Sequence, residues 1–136
     1  MAQLAAGAVL AVWLTALSII DIRRQRLPNA VTLPGAVIIL VVAVFGGHGA
    51  AALTGAAALG GLYLVAFLIG GMGAGDVKLA LGLGALTGVF GTAAWLLAAL
   101  AAPLLTILWS VVSRARVVPH GPSMCLATAL SVLVSL

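Results

Sequence analysis

The sequence contains very few acidic residues and few charged residues of any kind. Its 136 residues include two aspartates, Asp21 and Asp76, and no glutamate, against six lysines and arginines. Charged residues make up 6% of the chain, where a soluble domain has about 25%. Hydrophobic residues make up 65%, and the mean hydropathy is +1.37. Because a small soluble domain leaves a large part of its surface in water, this composition indicates an integral membrane protein.

Other scarce residue types exclude several kinds of site. Cys125 is the only cysteine, which excludes an internal disulfide and a zinc site built from cysteines; we expect it to be a small buried hydrophobe. Two histidines and two aspartates offer too few ligands for a metal site, and no cofactor is expected. The cations form no basic stripe interleaved with aromatics, so no nucleic-acid partner is expected. The first residues lack the basic segment of a signal peptide, so the first apolar run is expected to remain as a helix.

Apolar runs divide the chain into six segments, which we expect to be helices. An open sheet edge cannot be satisfied in lipid, and no segment alternates as a barrel strand does. The segments are Ala2–Ile20, Ala30–Phe45, Ala50–Ile69, Val77–Phe90, Thr92–Val112 and Pro122–Leu136. The pairs Gly71/Gly75 and Gly84/Gly88 have the small-x-x-x-small spacing that permits close helix contact. The sequence therefore predicts one all-α membrane domain, residues 1–136, formed by a bundle of six transmembrane helices.

The positive charges predict the orientation of this bundle. All six lie in or beside the loops that follow the first, third and fifth segments: Arg23, Arg24, Arg26, Lys78, Arg114 and Arg116. Because cytoplasmic loops carry an excess of Lys and Arg, we expect both termini outside (N-out/C-out) and both aspartates on the cytoplasmic side. The second, fourth and sixth segments are shorter than a full crossing of about 20 residues. Each starts after a charged loop, which predicts a cytoplasm-facing, water-filled cavity lined by the starts of these helices.

Two carboxylates at helix ends on one side of a membrane suit acid/base hydrolysis. A charged carboxylate at the centre of a membrane helix costs roughly 2.5–3.5 kcal/mol, so Asp21 and Asp76 are functional candidates. If their oxygens are in contact, like-charge repulsion keeps one of them protonated; one can then activate water while the other protonates or polarises a carbonyl. The sequence leaves open which aspartate holds the proton. Gly73 and Gly75, just before Asp76, would let a substrate backbone come close.

Three other interpretations of the aspartates remain open at this point. Each could form an ion pair, Asp21 with Arg24 and Asp76 with Lys78. The two could instead form an ion or proton path in a small membrane transporter or channel, or the chain could be a non-enzymatic subunit of a secretion apparatus. The serines and histidines show no triad spacing that would favour a nucleophilic hydrolase. His48 is expected at the surface of an outer loop.

Three short motifs resemble those of a known family. Gly73-Ala74-Gly75-Asp76-Val77-Lys78-Leu79 resembles the Gly-x-Gly-Asp signature of intramembrane aspartyl peptidases, and its Val-Lys-Leu is typical of the type IV prepilin peptidases. Asp21, followed by the basic cluster and Leu27-Pro28-Asn29, is similar to that family's other catalytic motif. Pro119-His120-Gly121-Pro122 resembles its late Pro-aromatic-Gly-Pro element, with His120 at the usual aromatic position.

The resemblance implies an activity, a location and a site. It implies an aspartic endopeptidase of the cytoplasmic (inner) membrane that removes a short basic leader peptide from type IV prepilins or pseudopilins, after a glycine, with the substrate helix and membrane lipid as partners. Asp21 and Asp76 would be catalytic. A substrate-binding or active-site loop would include Gly73, Gly75, Lys78, Pro28, Asn29 and His120. Larger family members also methylate the new N-terminus through an additional region with paired cysteines; this sequence contains neither, so we expect a compact peptidase without methyltransferase activity.

Overall fold

The protein is all-helical in the part of the chain that the structure describes. The computed structural model describes residues 2–24, 29–70, 73–114 and 118–135. These residues form six helices: α1 Ala2–Arg24, α2 Asn29–Phe45, α3 Gly49–Leu68, α4 Ala74–Val89, α5 Thr92–Ser113 and α6 Gly121–Ser135. Each corresponds to one of the six predicted segments, so the predicted all-α architecture is confirmed.

The end of α1 differs from the prediction in a way that matters for the site. The apolar pattern predicted an end at Ile20, whereas the helix continues to Arg24. No proline or glycine interrupts this last turn, and two arginines at its end suit the negative pole of the helix dipole. Asp21 is therefore a helical residue in the last turn of α1, which agrees with its predicted place at a helix end.

The starts of α4 and α2 also differ from the prediction. Helix α4 begins at Ala74 rather than at Val77, because Gly73 adopts an extended conformation and acts as the N-cap. Asp76 is thereby in the first helical turn, where free backbone N–H groups favour a carboxylate. The second segment was predicted to begin at Ala30, and α2 begins at Asn29. Pro28 lies outside the described residues.

Three of the helices are long and apolar enough to cross a membrane. These are Ala5–Arg24 within α1, Gly49–Leu68, which is α3, and Thr92–Ser113, which is α5. Helices α2 and α6 are apolar but shorter, and α4 has 16 residues. Large aliphatic side chains on the outside of the long helices are exposed, for example Val9 at 68% and Leu100 at 64%. Lipid solvates such a surface well, whereas water does not, so the fold is that of a membrane protein.

Helix α4 lies at the centre of the bundle. It packs against α2, α3, α5 and α6, and almost every residue from Leu79 to Thr87 is buried. Helix α6 packs against α1, α4 and α5. The end of α1 and the starts of α4 and α6 therefore meet at one end of the bundle, which is the end that carries both aspartates.

Glycines bring α3 and α4 into backbone contact. A Cβ atom added at Gly84 would lie 2.5 Å from the carbonyl oxygen of Gly55, and one at Gly88 would lie 2.6 Å from the carbonyl oxygen of Ala51. A Cβ at Gly55 would in turn overlap the Gly84 carbonyl oxygen. The close contact predicted for the Gly84/Gly88 pair is confirmed. This packing fixes α4, and hence Asp76 at its start, against a long apolar helix.

Adding one methyl group at this contact should destabilise the protein. We expect Gly84→Ala to lower stability by about 1–3 kcal/mol, as overpacking of a close-packed interior does, because the new Cβ meets backbone atoms that cannot rotate away. Thermal unfolding of the purified protein in detergent measures the change. Gly61→Ala is the matched control, because nothing lies within 4 Å of a Cβ at Gly61 on the same helix pair. Equal midpoints for the two variants would contradict the packing argument.

Candidate active site

Asp21 is buried and bound to the start of α6. Its side chain is only 5% exposed, and its Oδ2 accepts a hydrogen bond from the backbone N–H of Gly121 at 2.8 Å. Gly121 is the first residue of α6, where backbone N–H groups have no partner within the helix. An N–H donated to a carboxylate is a charge-assisted bond, about twice as strong as a neutral one. The start of α6 thus compensates a carboxylate that would otherwise be costly to bury.

The close contact between these residues requires glycine at position 121. A Cβ atom there would overlap Oδ2 of Asp21. Any side chain at this position would push the carboxylate away or displace the start of α6. The Gly in the Pro119–Pro122 motif is therefore explained by the approach of Asp21, a reason that the sequence did not disclose.

Asp76 lies at the same end of the bundle, in the first turn of α4. It is half-buried, and Gly73, its N-cap neighbour, is exposed. A Cβ at Gly73 would be in ordinary van der Waals contact with Oδ2 of Asp76, at 3.9 Å. The charge of Asp21 acts directly on Asp76, so the structure brings the two predicted aspartates within electrostatic reach of each other. Like charges at such range disfavour double ionisation.

The thiol of Cys125 on α6 and the hydroxyl of Ser18 on α1 belong to the same region. Cys125, one turn after Gly121 on α6, is 3% exposed and lies within electrostatic range of both carboxylates. It is hydrogen-bonded to the side chain of Ser18, whose hydroxyl donates to the Leu14 carbonyl oxygen at 2.9 Å. The prediction that Cys125 is a small buried residue is confirmed. Both side chains are uncharged polar groups.

A buried polar network lies beside the same loop. His120 is 8% exposed; its Nε2 is hydrogen-bonded to the hydroxyl of Tyr63 on α3 at 2.7 Å, and its Nδ1 to the hydroxyl of Thr106 on α5 at 2.6 Å. Burial lowers the pKa of His120 to about 4, so the imidazole is neutral at neutral pH. A neutral imidazole has one donor and one acceptor nitrogen, and a hydroxyl can accept from the first or donate to the second.

The ion pair suggested for Asp76 is not the contact that Lys78 makes. The Lys78 ammonium donates to Oδ1 of Asn29 at 2.6 Å, at the surface. This bond joins the starts of α4 and α2, two of the three helix starts predicted to line a cavity. Within the described ranges, no group of three or more His, Cys, Asp or Glu side chains is placed to hold a metal ion. The chemical groups of the site are therefore its two carboxylates.

Sequence reasoning did not select Tyr63 or Thr106. Tyr63 is the only tyrosine of the chain and sits within a long apolar helix, where a hydroxyl needs a partner. A lone tyrosine hydroxyl in an apolar helix indicates that a hydrogen-bond partner is nearby, but the sequence could not show that this partner is His120. Thr106 resembles several other threonines in apolar helices and gave no signal. The structure groups both with the motif that contains His120 and Gly121.

The fold and the site together define a class of protein. It is a helical membrane protein with two neighbouring carboxylates at one end of its bundle, the buried one of which accepts a backbone N–H. Residues 8–113 match the type IV leader peptidase family, and the chain belongs to that family. The matched region contains both aspartates and ends at the last residue of α5, before α6. No curated protein and no solved structure matches the chain.

The neutral state of His120 should appear in the pH dependence of stability. In the unfolded chain a histidine takes up a proton near pH 6.5, whereas in the fold the pKa is about 4. Between these values the unfolded state binds more protons, so this residue lowers stability as pH falls from about 6.5 to about 4. His120→Phe removes the titrating group. We therefore expect the unfolding midpoint of the wild type, measured relative to that of His120→Phe, to fall across this window.

The wild type must be compared with His120→Phe because the aspartates titrate in both of these proteins. His48→Phe is the matched control, because His48 is exposed and the same substitution there should leave the wild-type pH dependence unchanged. Thermal unfolding in detergent at intervals from pH 7 to pH 4 gives the three curves. A constant difference between wild type and His120→Phe would show that His120 is not held neutral.

Proposed function

We propose that this protein is an aspartic endopeptidase that removes the short basic leader peptide from type IV prepilins or pseudopilins at the cytoplasmic face of the inner membrane. Its family supports a leader peptidase activity. The observation that carries the aspartic mechanism is the convergence of Asp21 and Asp76 at one end of the bundle, within electrostatic reach of each other. In the described part of this chain, the two carboxylates are the acidic groups from which such chemistry can be built.

The contacts of the two aspartates suggest their separate roles. Asp21 receives the N–H of Gly121, which stabilises negative charge, so Asp21 is the base that takes a proton from water. Asp76 is only half-buried at the start of α4 and feels the charge of Asp21, so Asp76 is the acid that carries the proton. A pair whose environments differ in this way has distinct acid and base members.

The reaction then follows the usual two proton transfers of carboxylate pairs. Water attacks the carbonyl carbon of the scissile peptide bond, Asp21 takes the proton that the water loses, and Asp76 gives its proton to the carbonyl oxygen. The resulting diol collapses as the C–N bond breaks. Asp21 returns its proton to the leaving nitrogen, and Asp76 takes back the proton of the diol hydroxyl. Both carboxyl groups end in their starting states.

The substrate would approach along the start of α4. Gly73 is exposed and Gly75 is half-buried, so a substrate backbone can come near Asp76 without meeting side chains at these positions. Lys78 and Asn29, joined at the surface, would form the rim on the α2 side. His120 would belong to the loop on the α6 side. A prepilin presents its apolar helix from the membrane and its leader from the cytoplasm, so this rim would receive both.

The membrane arrangement that fits this function has six crossings in one domain, residues 1–136. Arg23 and Arg24 end α1, Lys78 lies in the first turns of α4, and Arg114 caps α5. Successive crossings place these cations at one face together with both aspartates, and the positive-inside rule makes that face cytoplasmic. Both termini are then outside.

Replacing either carboxylate by an amide should abolish leader removal. We expect Asp21→Asn and Asp76→Asn each to reduce processing of a co-expressed prepilin-like substrate by at least 100-fold, because an amide neither accepts nor donates the required proton at working pH. Substrate size on gels, at matched membrane levels of enzyme, is the measurement. Arg23→Gln is the matched control, since it makes a charge-to-amide change two residues from Asp21 at an exposed position and should leave processing intact.

The result also separates the peptidase from the alternatives. An ion path would lose flux in both variants while wild type left substrate size unchanged, and an assembly subunit would keep its function in both variants. Processing by wild type that persists in either variant would show that the two aspartates do not act as a catalytic pair.

The proposed orientation predicts which loops face the cytoplasm. In a Cys125→Ala background, which removes the only cysteine, a new cysteine can be introduced at the exposed positions His48 and Arg24. We expect a membrane-impermeant maleimide to label His48→Cys in right-side-out membrane vesicles and Arg24→Cys in inside-out vesicles. The opposite pattern would invert the topology, and labelling of both in the same vesicles would mean that these two loops lie on one side.

A further inference from the structure

The position of His120 would let it orient Asp21, the proposed base, without contacting the substrate. Both ring nitrogens are already bonded inside the bundle, to Tyr63 and Thr106, and the ring is packed 5.6 Å from the Tyr63 ring, centre to centre, at an interplanar angle of 39°. The side chain is 8% exposed. It therefore has no free polar atom to offer a peptide substrate.

The backbone of His120 carries the connection to Asp21. Its carbonyl oxygen accepts the N–H of Met124 at 3.0 Å, which starts α6. The nitrogen of the same peptide unit belongs to Gly121 and donates to Oδ2 of Asp21 at 2.8 Å. Because a peptide unit is planar, its C=O and its N–H turn together. The His120–Gly121 peptide unit thus makes two hydrogen bonds. Its carbonyl oxygen accepts the first bond of α6, and its N–H donates to the Asp21 carboxylate.

We propose that His120 is a positioning residue: its imidazole, bonded to Tyr63 on α3 and Thr106 on α5, holds the His120–Gly121 peptide unit so that its N–H points at the Asp21 carboxylate. The ring anchors the loop before α6 to two long helices. Asp21, at the end of α1, then meets a donor whose direction is set by α3 and α5. This role rests on the proposed function, in which Asp21 is the base.

The geometry explains why the anchor is a side chain with two polar atoms. A single hydrogen bond would let the ring turn about its bond to Cβ, whereas bonds from opposite edges of the ring to two different helices fix the ring plane. His120 stays neutral in this setting because burial lowers its pKa to about 4. A neutral ring adds no charge next to a carboxylate pair whose chemistry depends on sharing one proton.

The first readout does not depend on peptidase activity. In protein labelled with 15N-glycine, amide exchange of Gly121 reports its bond to Asp21. We expect exchange at least tenfold faster than wild type in His120→Phe and in Asp21→Ala, and unchanged in His48→Phe. Faster exchange in Asp21→Ala but not in His120→Phe would overturn the proposal, because the peptide unit would then hold its direction without the ring.

The second readout is kinetic. Against a prepilin-like substrate, we expect His120→Phe to lower kcat about tenfold with KM within twofold of wild type, and the acid limb of the kcat profile to move to higher pH as Asp21 loses its donor. Among the described residues, Asp76 from α4 and Cys125 from α6 also interact with the charge of Asp21 and could titrate. Both are retained in every variant of this series. An unchanged kcat with an unmoved acid limb would overturn the proposal.

Single-bond variants keep the test valid if His120→Phe folds poorly. Tyr63→Phe and Thr106→Val each remove one anchor and keep the side-chain volume, so each should give a smaller change in the same direction in both readouts. His120→Gln, which retains a donor and an acceptor, should recover part of the loss. If the wild type processes no prepilin, the proposed function is wrong, and the exchange rate of the Gly121 amide still decides whether His120 positions Asp21. If that exchange rate is unchanged in every variant of His120, Tyr63 and Thr106, the positioning role alone is wrong.

Discussion

The hydrogen bond from Gly121 to Asp21 is the contact on which the site depends. It joins the end of α1 to the start of α6 across 100 residues of sequence. A buried carboxylate without such a donor would be costly in this bundle. The donor is available because the first turn of a helix leaves its N–H groups unpaired, and the approach is close enough that only glycine fits. The same bond therefore stabilises the fold and favours the ionised form of a candidate base.

The second carboxylate reaches the site by a different route, through helix packing. Gly55, Gly84 and Gly88 let α3 and α4 touch through their backbones, and α4 packs against α2, α5 and α6 as well. A helix held on all sides has little freedom to slide, so its first turn is fixed relative to the end of α1. Asp76 is thus positioned by apolar contacts deep in the bundle, whereas Asp21 is positioned by a polar contact at its end.

The sequence was sufficient to predict the helices and to single out the two aspartates as candidates, and the reason is physical. Apolar runs in lipid must be helical, and a carboxylate in such a chain is conspicuous. It was not sufficient for the ends of α1 and α4, because hydropathy marks where apolar residues stop rather than where backbone hydrogen bonding stops. It also could not pair His120 with Tyr63 and Thr106, or Gly121 with Asp21. Those contacts join residues from different helices and leave no spacing in the sequence.

The contacts that the structure describes around the two carboxylates bear on the chemistry. A lysine bonded to Asp76 would favour two ionised carboxylates and remove the proton that an acid needs. Lys78, two residues from Asp76, is bonded to Asn29 instead, and Asp21 accepts the N–H of Gly121, with the Cys125 thiol in electrostatic range. A neutral donor such as this N–H stabilises one negative charge without adding a positive charge. With one charge stabilised and the second opposed by repulsion, the pair is suited to hold a single proton and exchange it between its two members.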